Sequence, residues 1–276
     1  MFRPNDNSTG IDFGITQFGD SPPHLPSDLE HLIQFVEYRI SQADEMDRRL
    51  IDQRPCVVHA PDPEEDGFLE VVNWAAERPN VFAVNAHARP NDDEWLCAGC
   101  ARRWTTAHAT HGPCTYCGES DLAVWRGTFP FEIACKRLRE AAAVLQAKGK
   151  VLFIENTCES PELMARVLAA VPDAAFTLDT GHSMLYGNGP ESYLAMLGPR
   201  LRHLHLHDNR GGDSERYHDL HLPPGLGIID WPRLASALQV HQFRGTAVFE
   251  CEPKPDWSHY LVGVARLLVE RRTRAS

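Results

Sequence analysis

No stretch of the chain approaches the roughly 20 consecutive apolar residues that a membrane-spanning helix needs, so a membrane protein is not expected. An export signal is missing as well. Met1 to Gly10 is polar and rich in Asn, Asp and Ser, without the basic and apolar regions of a leader. A cytoplasmic protein is therefore expected. Basic charge is scarce: 27 Lys and Arg stand against 38 Asp and Glu, a formal net charge of −11. An acidic surface repels nucleic acid at long range, which argues against a nucleic-acid partner. There is no internal repeat and no low-complexity segment, and the 276 residues suit one α/β barrel with a single large core.

Cysteine, by contrast, is not lacking, and its spacing excludes a simple disulfide framework. Of eight cysteines, four form two Cys-x-x-Cys knuckles, Cys97/Cys100 and Cys114/Cys117, with 13 residues between them. Paired knuckles without an export signal read as a metal site. Four thiolates at this spacing suit tetrahedral structural Zn²⁺. His108 or His111 replacing a cysteine is a weaker alternative. The remaining cysteines, Cys56, Cys135, Cys158 and Cys251, lie among apolar neighbours.

Short β-rich runs alternate with longer helical patterns, the rhythm of a parallel sheet covered by helices. Strands are predicted at Gly10–Phe18, Ile33–Arg39, Cys56–His59, Val81–His87, Lys150–Glu155, Ala174–Asp179, Leu201–His207 and Thr246–Glu252. Leu29 to Ile40 can also be written as one helix. Only a short helix at Ser27–Leu32 followed by a strand closes an eight-stranded (β/α)₈ TIM barrel. Helices are expected at Phe131–Lys148, Ser160–Val171, Asp230–Val240 and Trp257–Arg271. In the first of these, Ile133, Ala134, Leu138, Ala141, Ala142 and Leu145 form one apolar face. About 40 residues separate the fourth strand from this helix, far more than an ordinary barrel loop. They contain all four knuckle cysteines. Residues 91–126 thus read as a small zinc-ribbon insertion within a barrel domain spanning 1–276.

The chemistry is written at the strand ends. Val-Leu-Phe-Ile ends in Glu155, Ala-Phe-Thr-Leu in Asp179, and Thr-Ala-Val-Phe in Glu250, while the seventh strand runs His203-Leu-His205-Leu-His207. The third and fourth strands end in His59 and His87. The C-terminal strand ends of a (β/α)₈ barrel surround one mouth, where active sites lie. Carboxylates gathered there are costly to bury without a cation between them. Their mixture with imidazoles suits Mn²⁺, Zn²⁺, Mg²⁺ or Co²⁺. Side chains alternate along a strand, so His203, His205 and His207 share a face, with His205 at ligating depth and His203 lower in the core. Glu250 is favoured over Glu252 as ligand. Glu37, at the end of the second strand, is read as a structural ion pair.

These residues resemble the xylose isomerase-like barrel superfamily, which contains sugar-phosphate isomerases and epimerases and the endonuclease IV-type enzymes. The resemblance lies in Val57-Val-His-Ala-Pro61, Phe153-Ile-Glu-Asn156, Asp179-Thr-Gly-His182, His203-Leu-His-Leu-His-Asp208 and His221-Leu-Pro-Pro-Gly-Leu-Gly-Ile-Ile-Asp-Trp231. The epimerase branch implies one metal on Glu155, Asp179, His205 and Glu250. In that branch the two glutamates exchange a substrate proton, while His182, Arg210 and His207 bind a carbohydrate-like molecule. The endonuclease IV branch implies three zinc ions on His59, His87, Glu155, Asp179, His182, His205, Asp219, His221 and Glu250. Both branches remain open, as does a homo-oligomer.

Overall fold

The computed structural model describes residues 10–17, 25, 27–40, 54–88, 94–97, 103–105, 122–125, 130–157, 159–185, 188–211, 219–251 and 254–273. Eight parallel strands close into a barrel: β1 (Ile11–Gln17), β2 (Ile33–Arg39), β3 (Cys56–His59), β4 (Val81–His87), β8 (Val151–Glu155), β9 (Ala175–Asp179), β10 (Leu201–Leu206) and β11 (Gly245–Phe249). The order around the barrel follows the chain, and β1 closes the circle between β2 and β11. The strand through Phe35 and Val36 is thus real, preceded by the short helix α1 (Ser27–Glu30).

The helices α2 (Phe68–Glu77), α3 (Phe131–Gln146), α4 (Pro161–Ala170), α6 (Pro190–Leu197), α7 (Trp231–Val240) and α8 (Ser258–Thr273) link the strands, with α5 (Thr180–Leu185) rising directly from β9. Ser160 caps α4 by accepting the Leu163 amide at 3.2 Å, and Asp230 caps α7 by accepting the Arg233 amide at 3.0 Å. The buried face of α3 is Ala134, Cys135, Leu138, Ala141, Ala142 and Leu145, while Ile133 is 46% exposed. At 100° per residue, Ile133 falls off the edge of the stripe and Cys135 takes its place. No helix among the described residues is long and apolar enough to cross a membrane.

Between β4 and α3 the chain makes a separate antiparallel sheet from β5 (Glu94–Cys97), β6 (Arg103–Thr105) and β7 (Leu122–Trp125), in the order β6-β5-β7. Cys97 ends its central strand. Cys100, Cys114 and Cys117 lie outside the described residues, as do His108, His111, Cys158 and Glu252.

The period of two sorts each barrel strand into a face toward the helices and a face toward the axis. At the floor of the interior, Phe35, Val57, Ala83, Phe153, Ala175 and Val248 form one apolar cluster. Two residues further along the same strands stand Glu37, His59, Asn85, Glu155, Thr177 and Glu250, all buried. The step from apolar to ionisable side chains occurs within one barrel layer, toward the C-terminal strand ends.

Candidate metal centre

Glu155, Asp179, His205 and Glu250 come from four consecutive barrel strands or their immediate ends, β8 to β11. All are buried, and each offers a ligand atom within 4.8 Å of the others. The His205 Nδ1 lies 2.7 Å from Glu250 Oε2, 3.4 Å from Glu155 Oε2 and 3.6 Å from Asp179 Oδ2. Glu155 Oε1, His205 Nδ1 and Glu250 Oε2 have no aligned hydrogen-bond partner despite burial. Effective desolvation costs several kcal/mol per buried ion, so three carboxylates at this spacing need positive charge among them. Without metal, that charge falls on His205. Burial pushes its pKa down, but Glu155, Glu37 and Glu250 outweigh burial and raise it well above the ordinary value. Burial likewise raises Glu155 and Glu250, yet His205 above all holds both well below the usual carboxylate range. Three carboxylate oxygens and one imidazole nitrogen, buried and partly unpartnered, fit a divalent cation of the hard-to-borderline class.

Two further groups flank this one. On one side, His59 Nε2 lies 3.2 Å and His87 Nε2 3.8 Å from the Glu155 carboxylate. On the other, His182 Nε2 and His221 Nε2 approach Asp219 Oδ2 at 3.0 and 2.6 Å, with His207 beside them. The far nitrogens have fixed partners. His59 Nδ1 donates to the Ala60 carbonyl at 3.1 Å, His182 Nδ1 to the Asn156 carbonyl at 3.2 Å, and His221 Nδ1 to the Glu250 carbonyl at 2.7 Å. A carbonyl can only accept, so each of these rings carries a proton on Nδ1. The His182 Nδ1 also lies 3.3 Å from Glu155 Oε1 and 3.4 Å from Asp179 Oδ2. His87 Nδ1 is 2.6 Å from Asp62. His59 and His221 thus have one nitrogen anchored on a backbone carbonyl and one facing the cluster, as metal-ligating histidines are held. Burial lowers the His221 pKa, but Asp219 outweighs it and brings the imidazole to about 9. Burial raises Asp219, and His182 and His221 more than reverse this, driving it far below its ordinary range.

The backbone is shaped around these groups. Asp208, fully buried after β10, accepts from the amides of Asn209, Gly225 and Ile229 and from the Trp231 indole. These bonds staple the 219–231 segment over the mouth. Gly227 packs so tightly on this carboxylate that a Cβ would run into it and into the Asn209 carbonyl. A Cβ on Gly181 would run into the His207 ring. His221 has φ of +42°, a left-handed conformation that costs a non-glycine residue strain and is held here by its bonds to Glu250 and Asp219.

The nine metal-type residues expected from the sequence therefore meet in one mouth, in three adjoining groups. His207 is fully buried, with Nε2 2.9 Å from Asp179 Oδ1, and belongs to the His182 group. Arg210 is exposed on the loop after β10, outside these groups. Sequence reasoning missed Arg39, whose Nη1 lies 3.5 Å from Glu250 Oε1. It also missed Asp62 and Asn85, which orient His87 and Glu155. Arg39 follows Glu37 by two on β2, so the alternation was a usable signal for it.

Residues 114–266, more than half of the chain, match the family model for the xylose isomerase-like TIM barrel. An inosose dehydratase of Lacticaseibacillus casei is 29% identical over 115 residues, which are 37% of this chain and 38% of that protein. The chain thus spans little more than a third of that relative's length. Among solved structures, a D-tagatose 3-epimerase-like protein superposes with a TM-score of 0.61 at 18% identity, over 96% of this chain and 99% of the other. The IolI protein with a bound zinc atom gives 0.59 at 14% identity, over 95% and 98%. At these identities the structural likeness establishes a common fold. The chain belongs to the xylose isomerase-like TIM-barrel family.

Proposed function

We propose that the chain is a divalent-metal-dependent isomerase or epimerase of a sugar, sugar phosphate or related polyol, working by proton transfer beside a carbonyl. The observation that carries this reading is the pair of buried glutamates, Glu155 and Glu250, on one cluster with Asp179 and His205. Similarity to proteins named for a sugar epimerase and for a dehydratase of inosose supports a carbohydrate-like substrate. Glu155, Asp179, His205 and Glu250 would hold the cation, which would supply Lewis acidity beside a substrate carbonyl.

The two glutamates are held differently. Glu155 Oε2 accepts from Asn85 at 2.5 Å, with His59 at 3.2 Å, and Asn85 is itself fixed by Thr177 at 2.8 Å. Glu250 Oε2 lies 2.7 Å from His205, but its Oε1 meets Arg39 at 3.5 Å, a long contact with a half-exposed guanidinium. A base needs an oxygen left within hydrogen-bond reach of the proton it takes. Glu250 is therefore assigned proton abstraction and Glu155 the anchoring role. His182, 13% exposed at the mouth, is assigned to hold the substrate.

Incubation of the Mn²⁺-loaded chain with a panel of ketoses in D₂O tests this. Deuterium is expected at the carbon beside the carbonyl, and is expected to vanish in Glu250→Gln. No solvent exchange with any ketose or ketose phosphate contradicts it.

The flanking groups on His59, His87 and Glu155 and on His182, Asp219 and His221 favour a second reading, a trinuclear zinc phosphodiesterase. There the three groups would hold metal ions whose Lewis acidity would act on a phosphoryl group. Three barrel zinc ions per chain with cleavage of abasic DNA support that reading; one barrel metal with ketose exchange supports the first. We further propose a structural Zn²⁺ on Cys97, Cys100, Cys114 and Cys117 within the 91–126 insertion, on the knuckle spacing. A chain with all four cysteines changed to serine is expected to carry one zinc fewer.

A further inference from the structure

Below the metal-type residues lies a polar contact that the proposed chemistry does not use directly. Glu37, on β2, is fully buried between two imidazoles: Oε2 is 3.1 Å from His203 Nε2 and Oε1 is 3.1 Å from His205 Nε2. His203 is itself fixed. Its Nδ1 lies 2.6 Å from the Thr246 hydroxyl, and its ring stacks on Phe153 with centroids 5.0 Å apart and planes 12° from parallel. Thr246, His203, Glu37 and His205 thus form one chain rising from β11 across the barrel axis to the mouth.

A carboxylate without a proton can only accept, so His203 presents Nε2–H to Glu37. The His205 Nε2 contact at 3.1 Å is an ion-pair contact without an aligned hydrogen bond, and a proton on that nitrogen is the arrangement that the facing carboxylate favours. For His205 this leaves Nδ1 as the atom that faces Glu155, Asp179 and Glu250. We infer that Glu37 is a positioning residue that fixes the Nε2–H tautomer of His205, so that the Nδ1 lone pair is offered to the cation. The inference rests on the metal reading of that group. A bare ion pair for stability is the poorer explanation. Buried ion pairs contribute little net stability, and the neighbouring inward positions at the floor are apolar. A carboxylate here also raises the basicity of the ligand it holds, as partners of metal-bound imidazoles do.

Glutamine is the discriminating substitution. Its amide offers one acceptor and one donor group, so it cannot accept from both rings. With the oxygen toward His205 the anionic partner is lost; with the nitrogen toward it, the proton moves to Nδ1 and blocks the ligand atom. The test is Mn²⁺ binding, followed by the electron paramagnetic resonance signal of the free ion, in the wild-type chain and in Glu37→Gln. Mn²⁺ avoids thiolates and so reports the barrel. A fall in affinity of about 10- to 100-fold is expected in the folded variant, with partial recovery in Glu37→Asp. Equal Mn²⁺ affinity in a folded Glu37→Gln overturns the inference and leaves the metal site standing. A wild-type chain that binds no Mn²⁺ overturns both. Should Glu37→Gln not fold, nitrogen-15 correlation spectra of the Zn²⁺-loaded wild type decide. Nε2–H on both His203 and His205 supports the inference, and Nδ1–H on His205 refutes it.

Discussion

The floor and the mouth of this barrel are built from the same strands, two residues apart, and are held by opposite means. At the floor, Phe35, Val57, Ala83, Phe153, Ala175 and Val248 exclude water and gain from doing so. At the mouth, Glu37, Glu155, Asp179, Glu250 and His205 are equally buried, and each charge there faces an opposite one. The floor is stable on its own. The mouth is stable in proportion to the positive charge it holds, so its free energy answers to metal and to pH. One alternation along a strand therefore carries both scaffold and chemistry, and a slip of one residue would lose both.

The sharpest break between the two regions is expected in function. Glu250→Gln should lower ketose proton exchange by about 10²- to 10⁴-fold, the usual contribution of a positioned base, with the fold intact by circular dichroism. Phe35→Ala at the floor should do the reverse. It should cost about 3–5 kcal/mol of stability in denaturant titrations while Mn²⁺ stoichiometry stays at the wild-type value. Metal should then act on the mouth alone. Saturation at a hundred times the dissociation constant should stabilise the wild type by about 2.7 kcal/mol, and Asp179→Asn should show none of this gain. A thermal shift assay with and without chelator measures it.

The smallest effect is a pH slope. His221 has a folded pKa raised to about 9, against an unfolded value of about 6.5. Its contribution is therefore fully present below pH about 6.5 and is lost as pH rises to about 9. The chelator-treated chain should lose stability across that window, and Asp219→Asn should flatten the slope. A slope unchanged in that variant would detach Asp219 from His221.

The barrel was legible because its signal is local. Cys56–His59 and Val81–His87 are short apolar runs ending in histidine, and their bounds coincide with the strands observed. His59, His87, Glu155, Asp179 and Glu250 were legible for the same reason, since each sits where an apolar run stops; His182, Asp219 and His221 followed from the family resemblance. Helices α2, α5 and α6 went unread. Thr180–Leu185 is too short to show a period, and it is started by Asp179, whose Oδ1 accepts the His182 amide at 2.6 Å. Partners across the barrel were hidden too. That Asn85 holds Glu155, or that Glu37 meets both His203 and His205, depends on which side chains cross the axis at one height. The register of all eight strands decides this, and no single segment encodes it.

The most direct measurement is a Mn²⁺ titration of the wild-type chain beside Asp179→Asn and His205→Gln. If Glu155, Asp179, His205 and Glu250 share an ion, the wild type binds it and both variants lose it while remaining folded. Equal binding by all three chains, or none by the wild type, would contradict a cation at this place.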